Sequence, residues 1–226
     1  QQGITTSLVQ SYGFEKPEVT VEPAHNAMDA PGCTEITCSL VEGKNGKFYT
    51  AIGNNADKGP DKYEMSEMQM LGTYSGSSKE KTGKFGIGLA ATRNRCTGGK
   101  KGKVIMCGLK RDLTNKYEND NEFKEDMRNG NCNNDDIGFY YINYNLESVL
   151  EGKGYIHAPE DLSSIAAKIW FETRKNPRKP GTVIAYETCD EMVNMIKSEM
   201  FQTTPANFTS MKYCSVYTLS KFLQNG

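Results

Sequence analysis

The spacing of hydrophobic and polar positions divides most of the chain into short strands and helices. Strands are predicted at 34–41, 47–53, 103–109 and 181–186, with a strand pair over 137–150. Helices are predicted at 22–30, 63–72, 160–172 and 190–201, and a further helix opens between Gly83 and Arg93. The segment 210–224 is predicted to be either a helix or a strand. Pro31 and Gly32 end the first helix, and Gly43–Gly46 forms a hairpin turn between the first two strands. The alternation of strands and helices predicts an α/β or α+β sandwich.

Two neighbouring segments carry opposite charge. From Lys79 to Arg111 there are ten basic residues and one acid, whereas 112–136 holds eight acids, three bases and many asparagines. The acidic segment is predicted to be a solvated loop or insertion. The basic run is either a solvated face or a surface for phosphate-rich ligands or nucleic acid.

Composition favours one soluble domain. The chain has 226 residues, 37% hydrophobic and 24% charged, with a formal net charge of −1. This is not the composition of a disordered chain, and no net field draws the whole molecule to nucleic acid or membrane. No apolar run approaches the roughly 18 residues that cross a bilayer, so no membrane association is expected. The N-terminus lacks a secretory signal pattern, although it is also compatible with a mature or trimmed end. The expected location is intracellular, with the nucleus as one option and secretion as the open alternative.

The cysteines leave two interpretations open. There are seven, none in a C-x-x-C pair, and only His25 and His157 stand beside them as nitrogen ligands. That pattern argues against a structural metal site. The thiols are either reduced and mostly buried in an intracellular protein, or belong to a secreted domain with three disulfides and one spare thiol.

The first candidate motif is Glu22-x-x-x-Asn26-x-x-Asp29. Positions i, i+4 and i+7 share one helix face, so a carboxylate and an amide would point the same way. An amide oxygen can hold a hard cation such as Mg²⁺, while a nearby glutamate accepts a proton from an attacking water. The alternative is an ordinary exposed polar helix face.

Two further motifs follow along the chain. Asp57-Lys58-Gly59-Pro60-Asp61 comes shortly after a strand, where a carboxylate can accept a hydrogen bond from an adenine amino group and glycine lets the backbone approach the base. Gly83-Lys84-Phe85-Gly86-Ile87-Gly88-Leu89 opens a helix. Glycines before a helix offer backbone N–H groups and partial positive charge to an anion.

In this order the motifs resemble those of the GHKL ATPases. A fourth element, Gly181-Thr182-Val183-Ile184, is similar to the late strand that closes the nucleotide pocket in that superfamily. The likeness covers 22–186, and the glycine motif looks most like the topoisomerase VI B subunit, with MORC-type ATPases next. The resemblance implies a Bergerat fold: a two-layer sandwich with a mixed sheet and helices on one face.

The resemblance also implies a role for each matching residue. Glu22 would be the general base and Lys84 would assist at the phosphates. Asn26 would hold Mg²⁺, and Asp57 would bind adenine. The remaining nucleotide-binding residues would be Gly59, Gly83, Gly86, Gly88 and Thr182.

The implied function is an ATP- and Mg²⁺-dependent hydrolase that forms an ATP-gated homodimer clamp in DNA topology or chromatin handling, with DNA and a partner subunit as candidate partners. The nucleotide-binding domain would span 1–189, and 190–226 would be a helical or strand extension of it. The family's second motif usually ends in glycine, where this chain has Asp61. Two alternatives therefore stay open: a degenerate interaction module of the same fold, and an unrelated secreted disulfide domain.

Overall fold

A computed structural model describes Pro23, Ala24, Ala27, Ala30, 32–56, 88–99, 102–129, 131–132, 139–145 and 165–200. The strands are β1 (Ile36–Glu42), β2 (Phe48–Asn54), β3 (Lys103–Leu109), β4 (Phe139–Asn145) and β5 (Gly181–Thr188). The helices with complete bounds are α1 (Gly88–Thr97), α2 (Asp120–Arg128), α3 (Ile165–Thr173) and α4 (Asp190–Met200). The described residues thus combine α-helices with a β-sheet. The helix predicted over 63–72 and the segment 210–224 lie outside the described residues.

The five strands form one sheet in the order β1-β2-β5-β3-β4. Each of its four strand pairings is antiparallel, so the described sheet is antiparallel rather than mixed as expected. The predicted hairpin between β1 and β2 is confirmed: a 3₁₀ turn over Lys44–Gly46 reverses the chain, and Gly46 takes a φ of 72° that favours glycine. β5 comes from late in the chain, yet it lies between β2 and β3 at the centre of the sheet.

One face of the sheet packs against α3 and α2. Alternate residues of the central strands point to this side, as the two-residue repeat of a strand requires. The cluster contains Ala51, Ile105, Cys107, Val183 and Ala185 from the strands and Phe123, Ala167, Ile169 and Trp170 from the helices. All of these side chains are buried, so this face forms a continuous core.

The opposite face is covered as well. Ile52, Val104, Met106 and Tyr186 from the strands pack with Ala27, with Cys96 of α1 and with Met192, Met195 and Ile196 of α4. The expected two-layer arrangement with helices on one face is therefore wrong for the described residues. The reason is visible in β3, where every residue from Val104 to Leu109 is buried instead of buried and exposed residues alternating.

The acidic segment 112–136 also differs from the prediction of a solvated loop. It contains α2, whose first turn is capped by the Asn119 side chain accepting from the backbone N–H groups of Asn121 and Glu122, both at 3.0 Å. Phe123 and Met127, four residues apart on one helix face, are buried in the core. The Phe123 ring lies 5.5 Å from that of Phe171 on α3. The acidic residues of α2 thus lie mainly on its exposed side, while its other side packs into the core.

Candidate functional site

Most of the predicted site residues fall outside the described part of the chain. These are Glu22, Asn26, Asp57, Gly59, Gly83, Lys84 and Gly86. Two are described: Gly88 is the first residue of α1, and Thr182 is the second residue of β5. The relative positions of the motifs are therefore judged from the described residues that lie next to them.

Asn54, the last residue of β2, contacts three of these segments. Its Nδ2 donates to the carbonyl oxygen of Ala27 at 3.3 Å, and its Oδ1 accepts from the backbone N–H of Thr182 at 3.1 Å and of Ala56 at 3.4 Å. Ala27 directly follows Asn26, and Ala56 directly precedes Asp57. One buried amide thus joins the flanks of the first, second and fourth motifs.

The third motif continues into the same side of the sheet. α1 begins at Gly88 and packs on β5, with Cys96 in the cluster that contains Ala27. Thr182 shares a strand face with Ile184 and Tyr186, which pack against that cluster. Near the paired ends of β2 and β5, the described contacts therefore bring together the flanks of the first, second and fourth motifs. Cys96 of α1 lies at the other end of β5, where its carbonyl oxygen accepts from the Cys189 N–H at 2.8 Å.

Arg174 fixes this region from the end of α3. It is 5% exposed, and its guanidinium donates to the carbonyl oxygens of Asn54, of Pro180 at 2.8 Å and of Lys179 at 3.3 Å. Burial lowers the pKa of Arg174, and the negative charge of Glu35 acts in the opposite direction. The side chain joins the start of β5 to the end of β2.

Gly181 permits this close approach. Its φ is 154°, and a Cβ there would contact the Asn54 carbonyl oxygen and lie 2.6 Å from Cζ of Arg174. A residue with a side chain is excluded by both conformation and space.

Sequence reasoning did not identify Asn54 or Arg174 as important. Asn54 stood at the start of a stretch that reads as turn formers, and Arg174 stood just after a predicted helix. For Asn54 the sequence did offer a signal, because this asparagine stands directly at the end of an apolar strand and shortly before a candidate motif.

The structure divides the basic run. Arg93 of α1 is buried at 2% exposure, so it is not part of a solvated face. Arg95 pairs with Glu191 of α4 at 3.4 Å. Lys103 and Lys110, at the two ends of β3, are exposed. A phosphate-binding surface formed by this run would therefore consist only of its exposed residues, such as Lys103 and Lys110.

The six described cysteines are free thiols: Cys33, Cys38, Cys96, Cys107, Cys132 and Cys189. Burial raises the pKa of Cys96 and of Cys107, which favours the neutral thiol over the thiolate. Three disulfides among seven cysteines would require at least five of these six to be paired, so the structure favours the reduced interpretation. Within the described ranges, no cluster of three or more His, Cys, Asp or Glu residues is placed to hold a metal ion.

No protein-family model matches this sequence, and no curated protein matches it. Within the described part of the chain, none of the helices has the length and apolar character needed to cross a bilayer.

Proposed function

We propose that this chain is an ATP-binding domain related to the GHKL ATPases, with its nucleotide site near the paired ends of β2 and β5. The observation that carries the proposal is the Asn54 amide, which bonds to Ala27, Ala56 and Thr182. These residues belong to, or directly flank, three motifs that are 28 or more residues apart in sequence. An accidental resemblance gives no reason for separate motifs to meet at one end of a sheet.

The proposed chemistry follows from the residue types. The Asp57 carboxylate accepts a hydrogen bond from the adenine amino group, and the Asn26 amide oxygen is a suitable ligand for Mg²⁺, which supplies charge neutralisation at the phosphates. Glu22 removes a proton from the attacking water as the new bond to the γ-phosphorus forms and the bond to the bridging oxygen breaks. Lys84 and the glycines at 83, 86 and 88 hold the phosphates through positive charge and backbone N–H groups.

The assembly is part of the same proposal. ATP would close the domain into a homodimer that works with DNA and a partner subunit in DNA topology or chromatin handling. Support for this role comes from the motif resemblance and from the exposed Lys103 and Lys110. These lysines could contribute to phosphate binding in the full assembly.

Calorimetric titration with a non-hydrolysable ATP analogue and Mg²⁺ tests the proposal. The wild-type chain should bind, Asp57→Ala should lose binding, and the nearby Asp61→Ala should retain it. Glu22→Gln should still bind but release no phosphate from ATP, and sedimentation velocity should show a dimer only with the analogue. Absence of wild-type binding would contradict the proposal.

The second candidate is a degenerate interaction module of the same fold. Asp61, in place of the glycine that usually ends the second motif, is the observation that favours it. In that case the wild-type chain and Asp57→Ala would behave alike with the analogue, and neither would release phosphate.

A further inference from the structure

We infer that Cys96 and Cys189 form a reversible oxidation site, at which a low-molecular-weight disulfide such as oxidised glutathione converts the two thiols into an intramolecular disulfide. The bridge fastens the end of α1 to the residue that precedes α4. Both cysteines are described residues, and the site is independent of the proposed nucleotide site. The free thiols of the structure are its reduced form.

The main chains of the two cysteines are in direct contact. Cys96 lies in the last turn of α1, and its carbonyl oxygen accepts a hydrogen bond from the Cys189 N–H at 2.8 Å. Main-chain bond lengths then limit the distance between the two Cα atoms to about 6.7 Å. Disulfides usually join cysteines whose Cα atoms are roughly 4.4 to 6.8 Å apart, so the spacing of the two positions suits a bridge.

The Cys189 side chain lies against the end of α1. Its Sγ is 4.0 Å from the carbonyl oxygen of Arg95, and its Cβ is 3.3 Å from the point that a Cβ on Gly98 would occupy. Cys96 and Cys189 also pack in the same apolar cluster, on one face of the sheet. Cys189 thus contacts the chain both just before and just after Cys96.

The two thiols differ in exposure, and this difference sets the order of reaction. Cys189 is half-buried, whereas Cys96 is 1% exposed and burial raises its pKa. A dissolved disulfide therefore reaches Cys189 first. The Cys189 sulfur bonds to one glutathione sulfur, the bond between the two glutathione sulfurs breaks, and the second glutathione takes the proton and leaves as a thiol.

The second step is intramolecular. The Cys96 sulfur attacks that of Cys189, the bond to glutathione breaks, and the departing glutathione takes the Cys96 proton. In total, two protein thiols are oxidised to one disulfide and one glutathione disulfide is reduced to two thiols. The raised pKa of Cys96 slows its reaction with dissolved reagents, but the position of Cys189 beside it favours this step.

Oxidation adds a covalent link where the reduced protein has weak ones. Between the end of α1 and the start of α4, the described contacts include the hydrogen bond from Cys189 to Cys96 and an exposed ion pair of Arg95 with Glu191 at 3.4 Å. The bridge also closes a loop of about 90 residues, which restricts the unfolded chain and so stabilises the folded state.

The test incubates the full chain with oxidised glutathione under native conditions, alkylates the free thiols and identifies linked peptides by mass spectrometry without reduction. Wild type is compared with Cys189→Ser, Cys96→Ala and the control Cys38→Ser. Cys38 is a matched control because it is exposed and is the other thiol whose charge acts on the pKa of Cys96. The urea midpoint of each protein is measured before oxidation, after it, and again after dithiothreitol.

The expected result is a disulfide between Cys96 and Cys189 in wild type and, to within twofold, in Cys38→Ser. Cys96→Ala should accumulate glutathione on Cys189 at least fivefold above wild type, because the second step is blocked. Cys189→Ser should keep Cys96 as a free thiol. The bridge should raise the urea midpoint of wild type, and dithiothreitol should reverse the rise.

A wild-type chain that carries only glutathione on Cys189, that links Cys96 to Cys38, or that forms the bridge only in urea would overturn the inference. If Cys96→Ala does not fold, the bridge in wild type and its absence in Cys189→Ser decide the outcome. None of these results depends on whether the chain binds ATP, so the inference and the proposed function fail separately.

Discussion

Arg174 donates a hydrogen bond to the main-chain carbonyl oxygen of Asn54, and this bond joins the end of helix α3 to the end of strand β2. The same guanidinium bonds to the carbonyl oxygens of Lys179 and Pro180, just before β5 begins. The three segments that form this corner of the sheet are thus held by one buried side chain.

Arg174→Met should lower the free energy of unfolding by about 2–4 kcal/mol, because the buried carbonyl oxygen of Asn54 and the half-buried ones of Lys179 and Pro180 lose their donor. Methionine keeps much of the apolar stem, so the loss reports mainly on the hydrogen bonds. The free energy is measured by urea denaturation, followed by the fluorescence of Trp170, which is the single tryptophan and is buried. The control is Lys175→Met, which removes an exposed pair with Glu35 and should cost less than about 1 kcal/mol. Equal losses in both variants would contradict the role given to Arg174.

Gly181→Ala should be destabilising by at least about 2 kcal/mol. Its φ of 154° is unfavourable for alanine, and the new Cβ would contact the Asn54 carbonyl oxygen and Arg174. Gly46→Ala is a matched control, since Gly46 also has a positive φ, of 72°, but has open space around the position of a Cβ. The control should lose about 1 kcal/mol from conformation alone. A smaller loss at Gly181 than at Gly46 in urea denaturation would show that the corner adapts to the extra atom.

Phe123→Ala should reduce stability by about 3–5 kcal/mol, because it leaves a cavity in the core between α2 and α3. Phe123 is fully buried, with its ring 5.1 Å from that of Tyr117 and 5.5 Å from that of Phe171. Glu125→Ala, on the exposed side of the same helix, should change stability by less than about 0.5 kcal/mol. If both substitutions were neutral in chemical denaturation, the acidic segment would be an independent insertion.

Stability should fall in alkaline solution, in part through Cys132. Burial raises the pKa of this thiol to about 12, above its ordinary value near 9, and the Asp126 charge acts in the same direction. The folded state therefore keeps a proton that the unfolded chain releases above pH 9. The contribution is complete below pH 9 and is lost as the pH rises towards 12, at roughly 1 kcal/mol per pH unit.

Cys132→Ala should show a shallower decline in the free energy of unfolding between pH 9 and 11 than the wild-type chain. Asn131→Ala, which removes an exposed residue without a titrating group, should follow the wild-type decline. Urea denaturation at several pH values under reducing conditions measures both. A Cys132→Ala curve parallel to wild type would show that this thiol does not contribute to the alkaline loss.

Much of the local structure could be predicted because its signals are local. Backbone geometry makes apolar residues repeat every second position in a strand and every third or fourth in a helix, so most of the described elements lie within a few residues of their predicted bounds, α2 excepted. β3 was predicted at 103–109 and observed at the same residues. Of the candidate site, Thr182 was placed in the strand in which it is found, but the sequence could not show which segments that strand would meet.

Tertiary structure decided what depends on distant partners. The sequence of α2 is mostly charged, so it is typical of a solvated segment. Only the tertiary structure shows that Phe123 and Met127 are buried in the core that α3 shares. The layering was decided in the same way, because a continuous apolar strand does not reveal which helices cover each face. Asn54 and Arg174 are polar residues whose burial is favourable only when donors and acceptors from other segments complete their hydrogen bonds. The sequence by itself therefore determined most of the described elements and the order of the motifs, while the tertiary structure brought the flanks of the first, second and fourth motifs together at Asn54.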